Sequence, residues 1–231
     1  MLSRNNKILV GCLALLLVMS VGYALFSDTI TINGSATAQG EFDMEIVSAS
    51  ITDEVGSKGA TAVISEDGNA LSINIPNLEY PGAYVDVTYK LKNTGTINAL
   101  YKTYTINGYY WTEETKILKE AKVNKVYYAP NEEGEETLRI YWDESMNEGD
   151  ESLNMELKLS FEQVSDENEA CVKLATLKEK IRYCDFYQND DCFVSDVMGN
   201  PLYDINRDDI VDLMDLNMLN LATQNISCHV E

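Results

Sequence analysis

Between Phe42 and Gln163 apolar side chains recur at every second residue, and this alternation constrains the fold more than any other property of the chain. Leu71, Ile73 and Ile75 alternate with polar neighbours. So do Val85, Val87, Tyr89 and Leu91, then Leu138, Ile140 and Trp142, then Leu153, Met155, Leu157, Leu159 and Phe161. Side chains two apart leave the same face of an extended backbone, so each run predicts a strand with one apolar and one solvated face. Turn formers separate the runs at Glu66-Asp67-Gly68-Asn69, Tyr80-Pro81-Gly82, Asn93-Thr94-Gly95, Asn131-Glu132-Glu133-Gly134 and Asn147-Glu148-Gly149-Asp150. One-sided strands are stable when two antiparallel sheets pack face to face, and about 120 residues suffice for one such core. Glu113 to Lys125, with Ile117, Leu118 and Ala121 on one side, reads as the helix-permitting break in this pattern.

Beyond Phe161 the pattern changes. The acidic run of residues 163–169 reads as a linker, and Ala170 to Arg182 predicts a short helix with Leu174, Leu177 and Ile181 on one stripe. Asp204 to Asp215 then places oxygen donors at the spacing of a twelve-residue calcium loop. With Asp204 at position 1, Asn206 is at 3, Asp208 at 5, the Ile210 carbonyl at 7, Asp212 at 9 and Asp215 at 12. Calcium takes six to eight hard oxygens, which a curling loop delivers from alternate residues. Leu213, Leu216, Met218 and Leu219 follow at helical spacing.

Asp204, Asn206, Asp208, Val211, Asp215, Leu216 and Leu219 together resemble the dockerin repeat, an EF-hand-like calcium loop with a shortened entering helix. The resemblance implies calcium as the cofactor and a cohesin-like partner. Two features depart from the family pattern. Position 6, where glycine is usual because the turn prefers positive φ, is Asp209, and only one repeat is evident. Asp185, Asn189, Asp191 and Asp196 have the look of a decayed first copy without its apolar position and helix.

The N-terminus carries Arg4 and Lys7, an apolar run from Ile8 to Val21, and Gly22, Tyr23 and Ala24. This is the layout of an export signal cleaved after Ala24, which would touch membrane only before cleavage. Loss of Arg4 and Lys7 with no acid takes the formal charge from -21 to -23. Such a chain repels nucleic acid and anionic lipid and attracts divalent cations. Cys12 leaves with the signal, while Cys171, Cys184, Cys192 and Cys228 remain. An even number of cysteines clustered at the end of an exported chain predicts two disulfides stapling a small domain, and three pairings are open. A zinc site would need a C-x-x-C pair or more than the single His229.

VGYALFSDTITINGSATA, NLEYPGAYVDVTYKLKNTGTINAL and LRIYWDESMNEGDESLNMELKLSFEQ, in that order, resemble the TasA and camelysin group. Members have a jelly-roll-like sandwich and a dedicated export pathway, and several assemble into fibres of the biofilm matrix. The resemblance implies a secreted or cell-surface protein of a Gram-positive-type bacterium, either self-associating or binding other extracellular surface proteins. Residues 28–38 suit such assembly: Ile30, Ile32, Gly34, Ala36 and Ala38 alternate with polar residues in a strand at the new N-terminus. This strand could complete its own sheet or be donated to the edge of a neighbour, which would give filaments. The organisation expected is a signal at 1–24, a β sandwich at 25–162, a linker at 163–169 and a dockerin-like domain at 170–231.

Camelysin is described as a metallopeptidase, but H-E-x-x-H and G-x-S-x-G are absent and the one histidine stands alone, so no catalytic residue is assigned. A monomeric calcium-stabilised adhesion module binding carbohydrate or protein is the alternative. Tyr101, Tyr104, Tyr109, Tyr110, Trp111, Tyr127 and Tyr128 form the aromatic band that either fills the sandwich or stacks on a glycan.

Overall fold

The computed structural model describes residues 40–108, 117–145, 151–187, 203–224, 226 and 228. Residues from Gly40 onward belong to one compact unit, Gly40–Glu231. The signal segment with Ala24, the strand bearing Ile30, Ile32, Gly34, Ala36 and Ala38, residues 109–111, Cys192 and His229 lie outside the described residues.

The described elements are β1 (Met44–Val55), β2 (Thr61–Ile64), β3 (Ala70–Leu78), β4 (Tyr84–Asn93), β5 (Asn98–Asn107), β6 (Ile117–Val123), β7 (Tyr127–Tyr128), β8 (Glu133–Trp142), β9 (Glu151–Val164), α1 (Glu167–Tyr187) and α2 (Leu213–Ala222). The strands form two antiparallel sheets, ordered β1-β4-β8-β6 and β2-β3-β9-β5-β7. The alternation explains why these two layers share one core. Leu71, Ile73 and Ile75 of β3, Val85, Val87 and Tyr89 of β4, Leu138 and Ile140 of β8 and Leu157 of β9 are all fully enclosed in a single apolar cluster. Each aliphatic side chain removed from water contributes about 1.5–3 kcal/mol before the entropy of ordering it is charged.

Two turns hold this body in register. Tyr80 accepts a backbone hydrogen bond from Ala83 at 3.0 Å across Pro81-Gly82. Gly82 there has φ 90°, a value that favours glycine at the third position of such a turn. At the second turn Asn93 is fully buried. Its amide nitrogen donates to the Ile97 carbonyl at 2.8 Å and the Tyr128 carbonyl at 3.0 Å, and its oxygen accepts from Gly95 N–H at 3.1 Å. One side chain thus ties the β4–β5 turn to β7.

Two expectations need correction. Within Glu113 to Lys125, residues Ile117–Val123 form strand β6, paired along β8, and not a helix. Ile117, Lys119, Ala121 and Val123 all point inward, and a lysine on the inward parity hid the period-two signal. In the segment 163–169, β9 runs to Val164 and α1 starts at Glu167. Asp166 accepts from Glu169 N–H at 2.9 Å and Glu169 reaches back to Ser165 N–H at 2.8 Å, so the acids there cap a helix start. The helix expected over Ala170 to Arg182 is correspondingly longer at both ends.

A candidate metal-binding loop and its seat between the sheets

Residues 204–215 curl tightly before α2, and the curl is made by the acids themselves. Asp204 accepts from the N–H of Asp208 at 3.1 Å with one carboxylate oxygen and from that of Asp209 at 2.9 Å with the other. Asp208 accepts from Ile210 N–H at 2.9 Å and from the Asn206 amide at 2.9 Å. Asp215 accepts from Ile205 N–H at 2.6 Å, Asn206 N–H at 3.0 Å and Asp212 N–H at 2.9 Å. Asp212 caps α2 through Met214 N–H at 2.6 Å and completes a capping box with Asp215. The loop bends through left-handed backbone at Arg207 (φ 63°) and Asp209 (φ 67°). The position at which the dockerin pattern has glycine therefore does adopt positive φ here. The strain of placing an aspartate there is offset by a 2.6 Å ion pair between its carboxylate and Lys119.

The donor set has the chemistry of a hard-cation site: carboxylates at Asp204, Asp208, Asp212 and Asp215, the Asn206 amide oxygen and the Ile210 carbonyl. Asp204 and Asp215 are buried, at 1% and 0% exposure, and burial pushes their carboxyls up to about 6 and about 7. Two neighbouring buried carboxylates are what a divalent cation would stabilise most. In their present rotamers these carboxylates face loop amides, and among the described residues no three of His, Cys, Asp and Glu stand together as a metal-holding group. The chemistry of the donors fits calcium; the convergence of the side chains is not formed.

The loop is seated between the two sheets. Arg207 leaves its inner curve and enters the interior with 0% exposure. There its guanidinium meets the Glu136 carboxylate at 2.6 Å, donates to the Tyr89 hydroxyl, and lies 5.7 Å and 5.8 Å from the ring centres of Tyr101 and Tyr104. Tyr89 in turn donates to Glu136 at 2.7 Å. Burial works against the Arg207 charge, but Glu136, with Tyr89 and Tyr101, together more than offset it and hold the guanidinium well above its ordinary value. Burial likewise raises Tyr89 and Tyr104, with Asp204 adding to the effect at Tyr104. Around this anchor the loop is stitched to both sheets. Tyr104 of β5 donates to Asp204 at 2.7 Å, Lys119 of β6 donates to the Arg207 carbonyl at 2.8 Å, and Ala121 N–H donates to the Asn206 carbonyl. The loop thereby covers the outer edge of β6.

Behind the loop, Leu216, Leu219 and Ala222 of α2 and Leu174 and Ile181 of α1 are buried in the common core. Cys171 and Cys228 form a disulfide across 57 residues, which selects one of the pairings left open for Cys171. Cys184 is disulfide-bonded as well.

No protein-family model matches this chain, and no curated protein matches it. The geometry is therefore the basis for its reading. It brings Asp204, Asn206, Asp208, Ile210, Asp212 and Asp215 into one loop. It buries Tyr101, Tyr104, Tyr127 and Tyr128, so these four members of the aromatic band line the interior and offer no platform to a sugar. The residues that sequence reasoning missed are Arg207, Glu136, Lys119 and Tyr89. A signal did exist: Glu136 and Lys119 occupy the inward parity of strands whose other inward positions are apolar, and a buried charge demands a partner.

Proposed function

We propose that this protein is an exported, non-catalytic structural component of the cell surface or extracellular matrix. In this reading a jelly-roll-like β sandwich is closed by a C-terminal calcium loop that acts as an intramolecular clasp. The observation that carries the proposal is the insertion of Arg207 from the loop into the interior against Glu136 and Tyr89. A loop so anchored serves its own body first. Calcium on Asp204, Asn206, Asp208, Asp212, Asp215 and the Ile210 carbonyl would neutralise the buried acids and stiffen the clasp. Export is supported by the charged and apolar N-terminal pattern ending at Ala24, and self-association by the alternation of residues 28–38.

Thermal melting of the purified protein in calcium and in chelator tests the clasp. Calcium is expected to raise the melting temperature of the wild type, and Asp204→Ala with Asp215→Ala to abolish that rise. An identical calcium response in the double variant rejects the site. Electron microscopy of the same samples tests assembly. Filaments that persist after deletion of residues 28–38 would remove that strand from the account.

A second reading, partner binding through the tail, is favoured by one observation. Leu213, Met214 and Leu221 of α2 and Ile210 of the loop before it are exposed, at 50%, 55%, 59% and 57%. Apolar residues grouped in this way mark protein contacts, and a cohesin-like protein is the partner class that the dockerin resemblance implies.

A further inference from the structure

The outer face of the four-stranded sheet is hollowed. A cavity of about 520 Å³ and one of about 300 Å³ adjoin there and share Glu120 and Arg139. The strand register sets their lining in rows. Tyr84, Tyr141 and Leu118 are cross-strand neighbours on β4, β8 and β6, and Asp86, Arg139 and Glu120 form the next row. Thr88, Thr137 and Lys122 form the third. Strands lie about 4.8 Å apart, so each row spans about 10 Å.

The floor is held firmly. Arg139 makes two 2.7 Å bonds to the two oxygens of Asp86 and lies 4.2 Å above the Tyr84 ring. Tyr84 donates to Asp53 at 2.8 Å, and the Thr88 and Thr137 hydroxyls are 3.1 Å apart. Arg139 covers Tyr84, which leaves Tyr141, half-buried beside Leu118, as the ring presented to the larger hollow.

This lining discriminates among ligands. It carries the acids Asp86, Glu120, Asp143 and Glu144 against Lys122 and Arg139, the latter already paired with Asp86, and this balance repels phosphates and nucleic acid. A hydroxyl group both donates and accepts, so carboxylates and cationic donors set side by side suit a ligand carrying many hydroxyls. An aromatic ring flanked by a leucine suits the apolar face of a sugar ring. The volume is that of a small-ligand site. We propose that this trough binds a neutral, extended oligosaccharide, with Tyr141 as its stacking platform and Glu120 and Arg139 as its hydroxyl partners. The trough lining faces outward from the sheet, whereas Arg207 is anchored on the inward face.

The full chain is screened on immobilised neutral hexasaccharides of β-linked glucose, xylose, mannose and N-acetylglucosamine and of α-linked glucose, with octalysine and a phosphorylated glycan as controls. The best binder is then titrated by calorimetry. Retention on at least one neutral hexasaccharide and on neither control is expected. Tyr141→Ala should weaken binding about tenfold, the size of one aromatic stacking interaction, while Tyr141→Phe should retain it. Glu120→Gln, an exposed change that leaves the core untouched, gives an independent reading and should also weaken binding. Absence of retention on all five glycans, preference for octalysine, or affinity unchanged by both Tyr141→Ala and Glu120→Gln overturns the proposal.

Discussion

Replacing Arg207 by methionine is the most direct probe of how the loop is held. Methionine keeps most of the volume and removes the charge, leaving the Glu136 carboxylate at 1% exposure with only the Tyr89 hydroxyl on its bonded oxygen. Removing one partner of a fully buried ion pair costs about 3–5 kcal/mol, because the charge left behind is no longer compensated. In a chain of this size 1 kcal/mol shifts the melting temperature by about 2–4 °C, so a fall of roughly 6–20 °C is expected. Glu136→Gln alone should destabilise in the same way, by stranding the guanidinium. The two changes together remove both charges, keep an acceptor for Tyr89, and should recover at least about 2 kcal/mol relative to the sum of the single losses. Urea denaturation followed by near-ultraviolet circular dichroism reads all four proteins in one cycle. Losses below about 1 kcal/mol for Arg207→Met, together with additive behaviour of the pair, would refute the view that this contact fastens the tail to the sheets.

Three further outcomes are expected. In chelator, the carboxyls of Asp204 and Asp215 bind their protons more tightly folded than unfolded. Their contribution is therefore fully present below the ordinary carboxylate value and is lost as pH rises through about 6 and about 7. The metal-free protein should accordingly melt higher at pH 5 than at pH 8, and a melting temperature that rises steadily over that interval would contradict the burial of these two acids. Replacing Cys171 and Cys228 by serine opens a closed segment of 57 residues' separation, worth about 4 kcal/mol on the chain-entropy model, and equilibrium unfolding of the variant measures it. Asn93→Ala takes the amide donor from the carbonyls of Ile97 and Tyr128 and one of two acceptors from the Gly95 N–H, which keeps the Asp43 carbonyl, and should cost about 2–4 kcal/mol by the same measurement; a loss below 1 kcal/mol would show that the turn stands without its side chain.

The parts of the fold visible in the sequence were those governed by local rules. Leu71, Ile73 and Ile75, or Val85, Val87 and Tyr89, announce a strand because neighbours two apart share a face, and nothing distant is needed to read them. The oxygen spacing of residues 204–215 is local in the same sense. What escaped was settled by partners far away in the chain. Lys119 faces inward to meet Asp209 and the Arg207 carbonyl, 88 residues from Arg207, and so β6 does not read as a strand. Arg207 has no local signal of its inward course, since its counterion Glu136 is 71 residues upstream. The run 163–169 hides its role for a different reason. Its charge resembles a spacer, although Asp166 and Glu169 already had the spacing of a helix cap.

The separation of Arg207 from Glu136 has a consequence for how the chain is made. Synthesis proceeds from the N-terminus, so the strands that surround Glu136 are complete well before its counterion emerges. Until then the centre of the body holds a carboxylate without its counterion, which must draw water to itself. Final consolidation is thereby tied to arrival of the loop at residues 204–215, and a copy cut short before residue 207 would carry its defect at the middle of the body, where quality-control proteases find loosely packed chains.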